Sequence, residues 1–404
     1  MTIEEKFDKL GIDNAPGQEG LQNSIELDLR GERLEGPSVD FSHGDVCAHP
    51  PVPGSFELFA EGVKEGAGQA YTPYRGRTKT LKQVANKLET FTGTPIDPDK
   101  NLILTAGTQG ALFLAMGSCV ITGDKVAIVE PDYFANRKIV EFLGGNMVSI
   151  PMNYNDASVG SGIDIKALET AFKHGVKVFL FSNPNNPVGC IYSYDEICKI
   201  ASLARKYNVT VIVDELYSRQ IYFNFTYTHL CAQKDIPENL ITIMGPSKTE
   251  SLSGYRLGVA FGTEAVIERM EKLQAITTLR CGGYNQAVLG TWFNEPKGWL
   301  ANRIKQHQEI RDAILDVVEC YEGVSAKPTE GGSYLFITIP ELDVSLHRFI
   351  GIAREMAQIT VTPGTEFGPQ YLHQFRINFS QDKDKAVEAM ERLMALMKRY
   401  RKTS

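Results

Sequence analysis

Lys248 lies in a run of small and hydroxyl residues, Gly245-Pro-Ser-Lys-Thr-Glu-Ser-Leu-Ser-Gly-Tyr-Arg-Leu-Gly258. A strand-like run, 240–244, precedes it, and Arg256 follows at the start of another. A lysine amine condenses with an aldehyde only when neutral, which calls for burial or a neighbouring cation. The hydroxyls of Ser247 and Ser253 and the Arg256 guanidinium suit a phosphate. Together these groups describe a site for pyridoxal phosphate, with Lys248 on its aldehyde as a Schiff base and Arg256 on its phosphate. Taken alone, the same lysine also fits a solvated loop position.

Further candidates follow other strand-like runs. Ala106-Gly107-Thr108-Gln109-Gly110 comes after 102–105 and opens a helical pattern; backbone N–H groups in such a turn bind phosphate. Tyr133 comes after 126–130 and can stack on a flat heterocycle, or simply pack. Ser182-Asn-Pro-Asn-Asn-Pro-Val-Gly189 is a rigid polar loop in which the Asn186 amide can donate to a ring oxygen. Asp214 ends the apolar run Val209-Thr-Val-Ile-Val213, where a carboxylate is costly without a cation. A protonated pyridine nitrogen is such a cation, and Tyr217 can hydrogen-bond the ring oxygen. A strand-end aspartate can equally cap the next helix. Arg376, in Phe375-Arg-Ile-Asn-Phe-Ser380, sits among apolar neighbours and suits a bidentate clamp on a carboxylate, or a surface salt bridge.

These positions need a scaffold. Strand-like runs at 102–105, 126–130, 147–150, 178–182, 209–214, 240–244 and 257–261 alternate with helical patterns. The clearest helix is 194–207, with Ile197, Ile200, Ala201 and Ala204 on one face. Such alternation predicts an α/β large domain, a mainly parallel seven-stranded sheet flanked by helices. Ligands of such sheets bind at the carboxyl ends of the strands. After about residue 285 the pattern changes. A long helix over 298–320, strands at 333–339 and 375–379, and a helix from Asp384 with Val387, Met390, Leu393 and Met397 inward predict a smaller α+β domain. The expected division is an N-terminal arm packing with the small domain (1–45), the large domain (46–290) and the small domain (291–404).

The chain has 404 residues, 43% hydrophobic and 23% charged, enough for one large and one smaller domain. A net charge of -7 with no basic block argues against nucleic acid and anionic membranes as partners. No apolar run is long enough to span a bilayer. The first ten residues are charged and lack a signal core, and the seven cysteines show no CxxC pair. Reduced thiols, a cytoplasmic location and no metal site are expected.

In this order the residues resemble the fold-type I pyridoxal-phosphate enzymes, specifically the class I/II aminotransferases related to aspartate aminotransferase. The resemblance runs from Gly44 to the C-terminus. It implies an enzyme that moves an amino group between an L-amino acid and a 2-oxo acid through a Lys248 Schiff base. Lys248 would serve as base and then acid in the proton transfer from Cα. By the same resemblance Gly107, Thr108 and Gln109 form the phosphate cup and Tyr133 stacks on the ring. Asn186 touches ring oxygen and substrate carboxylate, Asp214 and Tyr217 form the D-x-x-Y pair, and Arg256 binds the phosphate. Arg376 holds the α-carboxylate and Gly44 contacts the substrate. Tyr71, in the turn-rich loop 71–76, reaches the phosphate of a second subunit, so a homodimer with shared sites is implied. Many relatives carry a serine where this chain has Gly245; that phosphate contact passes to Ser247 or is missing. Ser42 and His43 replace an apolar substrate contact, and Arg280 is out of register with the arginine of the aspartate-specific branch. A lyase, decarboxylase or oxidase on the same cofactor is the alternative. A non-catalytic regulator would need a DNA-binding extension, which the short arm does not offer.

Overall fold

The structure, a computed structural model, describes residues 2–8, 10, 27–66, 70–156 and 159–402. The stretch 11–26 of the expected arm lies outside the described residues.

Seven strands form the main sheet: β2 (Leu102–Ala106), β3 (Lys125–Glu130), β4 (Asn146–Pro151), β5 (Val176–Ser182), β6 (Thr210–Asp214), β7 (Leu240–Met244) and β8 (Leu257–Gly262). Their order is β2-β8-β7-β6-β5-β3-β4. All neighbours pair in parallel except β8, which runs antiparallel to both β2 and β7. Successive side chains point to opposite faces. Leu102, Leu104, Phe179, Phe181, Val211 and Val213 therefore enter one core, while Ile103, Val178, Leu180, Ile212, Ile241 and Ile243 enter another. Apolar residues on both faces explain the unbroken hydrophobic strand runs.

The second core is covered by α4 (Gly107–Cys119), α5 (Phe134–Leu143) and α8 (Glu264–Ile276); the first by α3 (Thr78–Thr92), α6 (Ile165–Lys173) and α7 (Tyr194–Tyr207). The α7 N-terminus is fixed by a capping box between Ser193 and Glu196. At its C-terminus Asn208 turns the chain at φ +53°. Two shorter helices, α1 (Ile3–Asp8) and α2 (Ser55–Lys64), precede this layer.

A second, four-stranded sheet contains β9 (Ser325–Ala326), β10 (Tyr334–Thr338), β12 (Thr362–Pro363) and β13 (Gln374–Asn378), in the order β12-β13-β10-β9. It packs with α9 (Trp299–Glu319), α10 (Leu346–Ala357) and α11 (Lys383–Lys398) around a third core. Val39–Asp40 forms β1, which pairs in parallel with β11 (Ile359–Thr360), and Val39 and Phe41 are buried in this core. Along α11, Met390, Leu393 and Met397 point inward as expected, but Val387 is only half-buried. Ala386 and Ala389 hold the inner face there, so Ala386 stands in the inward place expected for Val387. In β13, Phe375 and Ile377 enter the third core. Alternation puts Arg376 and Asn378 on the opposite face, beside Phe336 and Tyr334 in register.

Candidate active site

The loop 245–256 leaves β7 and returns into β8 beside it, so both of its ends lie at the carboxyl end of the parallel strands. Ser251 N donates to Lys248 O at 3.0 Å and Leu252 N to Pro246 O at 3.1 Å, which close the turn around Lys248. Arg256 has φ +50° and donates through Nη1 to Ser253 O at 3.0 Å. Gly107, at φ +79°, opens α4 directly beside it: a Cβ on Gly107 would lie 2.4 Å from Arg256 Nη2. A Cβ on Gly258 would lie 2.3 Å from the Gly107 carbonyl carbon. Two glycines thus let the Arg256 guanidinium and the α4 N-terminus approach. No side chain caps that N-terminus, and no carboxylate pairs with Arg256 among the described residues.

One cavity gathers most of the predicted side chains. Its wall includes Thr108 and Gln109 from the β2–α4 turn, Tyr133 after β3, and Asn186 after β5. It also includes Asp214 and Tyr217 at the end of β6, and Ser247, Lys248 and Arg256. Gly107 supports Arg256 from behind. Arg376 reaches the site through Asn186: Nη1 donates to Asn186 Oδ1 at 2.9 Å and Nη2 to Ser42 O at 3.0 Å. Gly44 lies on an adjoining cavity that shares Ser247, Lys248 and Ser253 with the first. Tyr71 is not brought to the site of its own chain. It is 79% exposed, with the Arg280 guanidinium 5.1 Å from its ring.

The electrostatics of this wall favour a cationic ring and an anionic group. Asp214 accepts Leu216 N at 3.1 Å and has no basic partner among the described residues. Burial pushes its carboxyl up to about 6. A carboxylate so placed is stabilised by a cation held in the cavity. At the other end the Arg256 guanidinium and the uncapped α4 N-terminus present positive charge to an anion. Asp132 accepts Ser182 N at 3.0 Å, Tyr133 N at 2.7 Å and the Ser182 hydroxyl, so it braces the β3 and β5 ends rather than the ligand. Tyr133 OH donates to Gln109 Oε1 at 3.1 Å, which ties its ring to the β2–α4 turn. These residues fit pyridoxal phosphate: the Asp214 carboxyl would suit its protonated ring nitrogen, and Arg256 with residues 107–109 would suit its phosphate.

Tyr334 was not identified from sequence. It opens β10, is 5% exposed, and lines the cavity. Tyr217 OH donates to its hydroxyl at 2.9 Å, and the Arg376 guanidinium stacks 4.2 Å from its ring centroid. The period-2 pattern of 334–338 carried the signal, because Leu335 and Ile337 claim the core face and leave Tyr334 facing away from it.

The sequence model of the family described as aminotransferase class I and II matches residues 48–393. The chain belongs to that family. Class I and II aminotransferases use pyridoxal phosphate, and this aminotransferase moves an amino group between an amino acid and a 2-oxo acid; other reactions of the cofactor are not favoured. It is similar to a crystal structure of an aspartate aminotransferase from Rhodobacter sphaeroides, with 53% identity and a TM-score of 0.94 over 99% of this chain and 100% of that one. It is 27% identical to an aspartate aminotransferase of Musicola paradisiaca, over 82% of each chain. A kynurenine–oxoglutarate transaminase of Bos taurus is 25% identical over 83% of this chain and 76% of that protein. Among the described residues no helix is long and apolar enough to cross a membrane. Nor does any group of three or more His, Cys, Asp or Glu there converge as a metal site would require.

Proposed function

We propose that the aminotransferase reaction runs at the Lys248 cavity. The observation that carries this reading is the joint wall formed by Lys248, Asp214, Asn186, Tyr217 and Arg256, with Arg376 bonded to Asn186. Bound pyridoxal phosphate supplies an aldehyde for amines and a protonated ring that draws electrons from the substrate Cα. Arg256, Ser247, Thr108 and the Gly107 and Gln109 backbone bind the phosphate. Asp214 would keep the ring nitrogen protonated, Tyr133 would cover the ring face, and Tyr217 and Asn186 would face the ring oxygen. Arg376 and Asn186 hold the α-carboxylate, with Gly44 on the substrate side. Lys248 Nζ would take the proton from Cα and later return it.

The name of the 53% identical relative makes aspartate the first donor to test. The working form is a homodimer in which Tyr71 completes the partner's phosphate site, and its seven unbridged cysteines suit the cytoplasm. Borohydride reduction of the cofactor-loaded protein followed by peptide mapping tests the assignment. Label is expected on Lys248 alone, and Lys248→Ala should lose turnover while still binding cofactor non-covalently. Label on any other lysine removes Lys248 from its role.

A further inference from the structure

We propose that Tyr334 is a positioning residue for both ends of the substrate site, its hydroxyl holding Tyr217 and its ring face carrying Arg376. The inference rests on the roles given above to Tyr217 and Arg376. Neither the aminotransferase chemistry nor the predicted residues require a phenol at this position.

Three contacts carry it. The Tyr217 and Tyr334 hydroxyls are 2.9 Å apart, with the rings edge-on at 79°. Both residues are buried, at 4% and 5% exposure, so no bulk water competes for that bond. On the other side the Arg376 guanidinium sits 4.2 Å from the Tyr334 ring and 4.9 Å from the Phe367 ring, while it donates to three partners, Asn186, Ser42 and Thr362. Backbone packing fixes Tyr334 in turn. Gly332 has φ +84°, and a Cβ there would approach the Tyr217 ring to 3.1 Å. The Thr329 hydroxyl donates to the Tyr334 carbonyl.

A phenol has one proton to donate and can accept others. Tyr217 gives its proton to Tyr334. An anionic oxygen on the cavity side claims that proton, and the Tyr334 proton then turns to the Tyr217 oxygen. The reversed chain is the stronger one, because hydrogen bonds in series polarise each other. Burial works to raise the Tyr334 phenol, but the Lys248 and Arg376 charges and its hydrogen bonds with Tyr217 and Asn378 together hold it below the ordinary range, which makes Tyr334 the better donor of the two. Burial leaves Tyr217 far above the ordinary phenol range. Phenylalanine at 334 keeps the ring under Arg376 but supports neither direction of the chain. Leucine removes both contacts.

The two halves of the proposal separate experimentally. Tyr334→Phe and Tyr334→Leu are made in the parent and in Tyr217→Phe. The readouts are the absorbance of the cofactor-loaded protein titrated with pH, the cofactor dissociation constant, and kcat and KM for the amino donor. Tyr334→Phe should raise the absorbance midpoint by about half to one pH unit, the size of one neutral hydrogen bond. Its donor KM should stay within about twofold of the parent, since the Arg376 stack survives. In the Tyr217→Phe background the same change should move the midpoint no further. Tyr334→Leu should in addition raise donor KM about 5- to 30-fold, as expected for losing a desolvated cation–π contact. A parent-like midpoint in Tyr334→Phe, an equal shift in both backgrounds, or equal KM in the Phe and Leu variants overturns the proposal. Borohydride labelling of the parent and the KM of Arg376→Ala are run alongside. If those fail, the site assignment fails; if they hold while Tyr334→Phe is silent, only the role of Tyr334 is lost.

Discussion

Arg376 Nη1 donates to Asn186 Oδ1 across 2.9 Å, joining two residues 190 positions apart in the chain. One belongs to the small sheet and the other to the loop after β5. The bond aims the guanidinium of Arg376, itself 6% exposed, at the same region as the Asn186 amide. Arg376→Ala should therefore raise the KM for the amino donor by about 10- to 100-fold, the loss of one or two charge-assisted hydrogen bonds. The cofactor dissociation constant should change little. Equal losses of cofactor and donor affinity would show that Arg376 braces the fold rather than the substrate.

Asp214→Asn should lose most turnover and yet stabilise the cofactor-stripped protein at pH 8. The carboxyl titrates near 6 when folded, raised by burial, against about 3.9 when unfolded. Below about pH 4 it is neutral in both states and contributes nothing. Between pH 4 and 6 the unfolded chain ionises first, so stability falls as pH rises, and the loss is complete above 6. Asparagine avoids that loss. Thermal unfolding of both proteins at pH 4 and pH 8 is the check: the difference should appear only at the higher pH. A variant less stable than its parent at pH 8 would mean that Asp214 already has a strong partner in the protein.

His307 predicts an acid-sensitive junction. Its Nδ1 donates to Arg303 O at 2.8 Å, its Nε2 faces Ser380 Oγ at 2.9 Å, and the His49 ring stacks 4.3 Å away. Burial first, and then the His49 charge, hold it down to about 3. Unfolded histidine titrates near 6.5. As pH falls from 6.5 toward 3 the unfolded chain takes a proton that the folded one refuses, so stability declines by up to about 1.4 kcal/mol per pH unit. The melting temperature of His307→Gln should fall less steeply than that of the parent between pH 7 and 5. Parallel curves would contradict this account.

Mixing two inactive proteins, Tyr71→Ala and Lys248→Ala, should restore part of the activity after subunit exchange. Tyr71 is exposed in a loop whose neighbour Tyr74 shares the Arg280 cation with it, and exposed aromatics of this kind are enriched at interfaces. Mixed dimers would hold one site with both defects and one with neither. No recovery despite demonstrated exchange, or a monomer in solution, would count against shared sites.

The seven strands of the large sheet were legible because each is apolar on both faces and stands apart from its helices. Helix 194–207 was legible to the residue because Ile197, Ile200, Ala201 and Ala204 keep one apolar face, and the structure sets its ends with a capping box and Asn208. Lys248, Asp214 and Asn186 were readable because each breaks the local rule at a strand end: a charge or an amide run where apolar packing stops. The two-residue strands β1, β9, β11 and β12 carry no period to detect. Tyr334 was hidden for a different reason. An aromatic at a strand start looks like packing, and only the register of β10 against β13 places it under Arg376. The Arg303–His307 junction was equally silent, because its partners Ser251, Pro50 and Ser380 come from three distant stretches.

The antiparallel return of β8 has a consequence for the order in which the enzyme is made. Because the loop after β7 comes straight back beside it, every proposed cofactor contact, from Tyr71 to Arg256, is encoded before β8 ends at Gly262. Closing that short loop is also cheap in chain entropy. Arg376 and Tyr334 are still untranslated at that point. A nascent chain released to Gly262 would carry the machinery to capture a vitamin-derived aldehyde, but not yet the grip that chooses an amino acid.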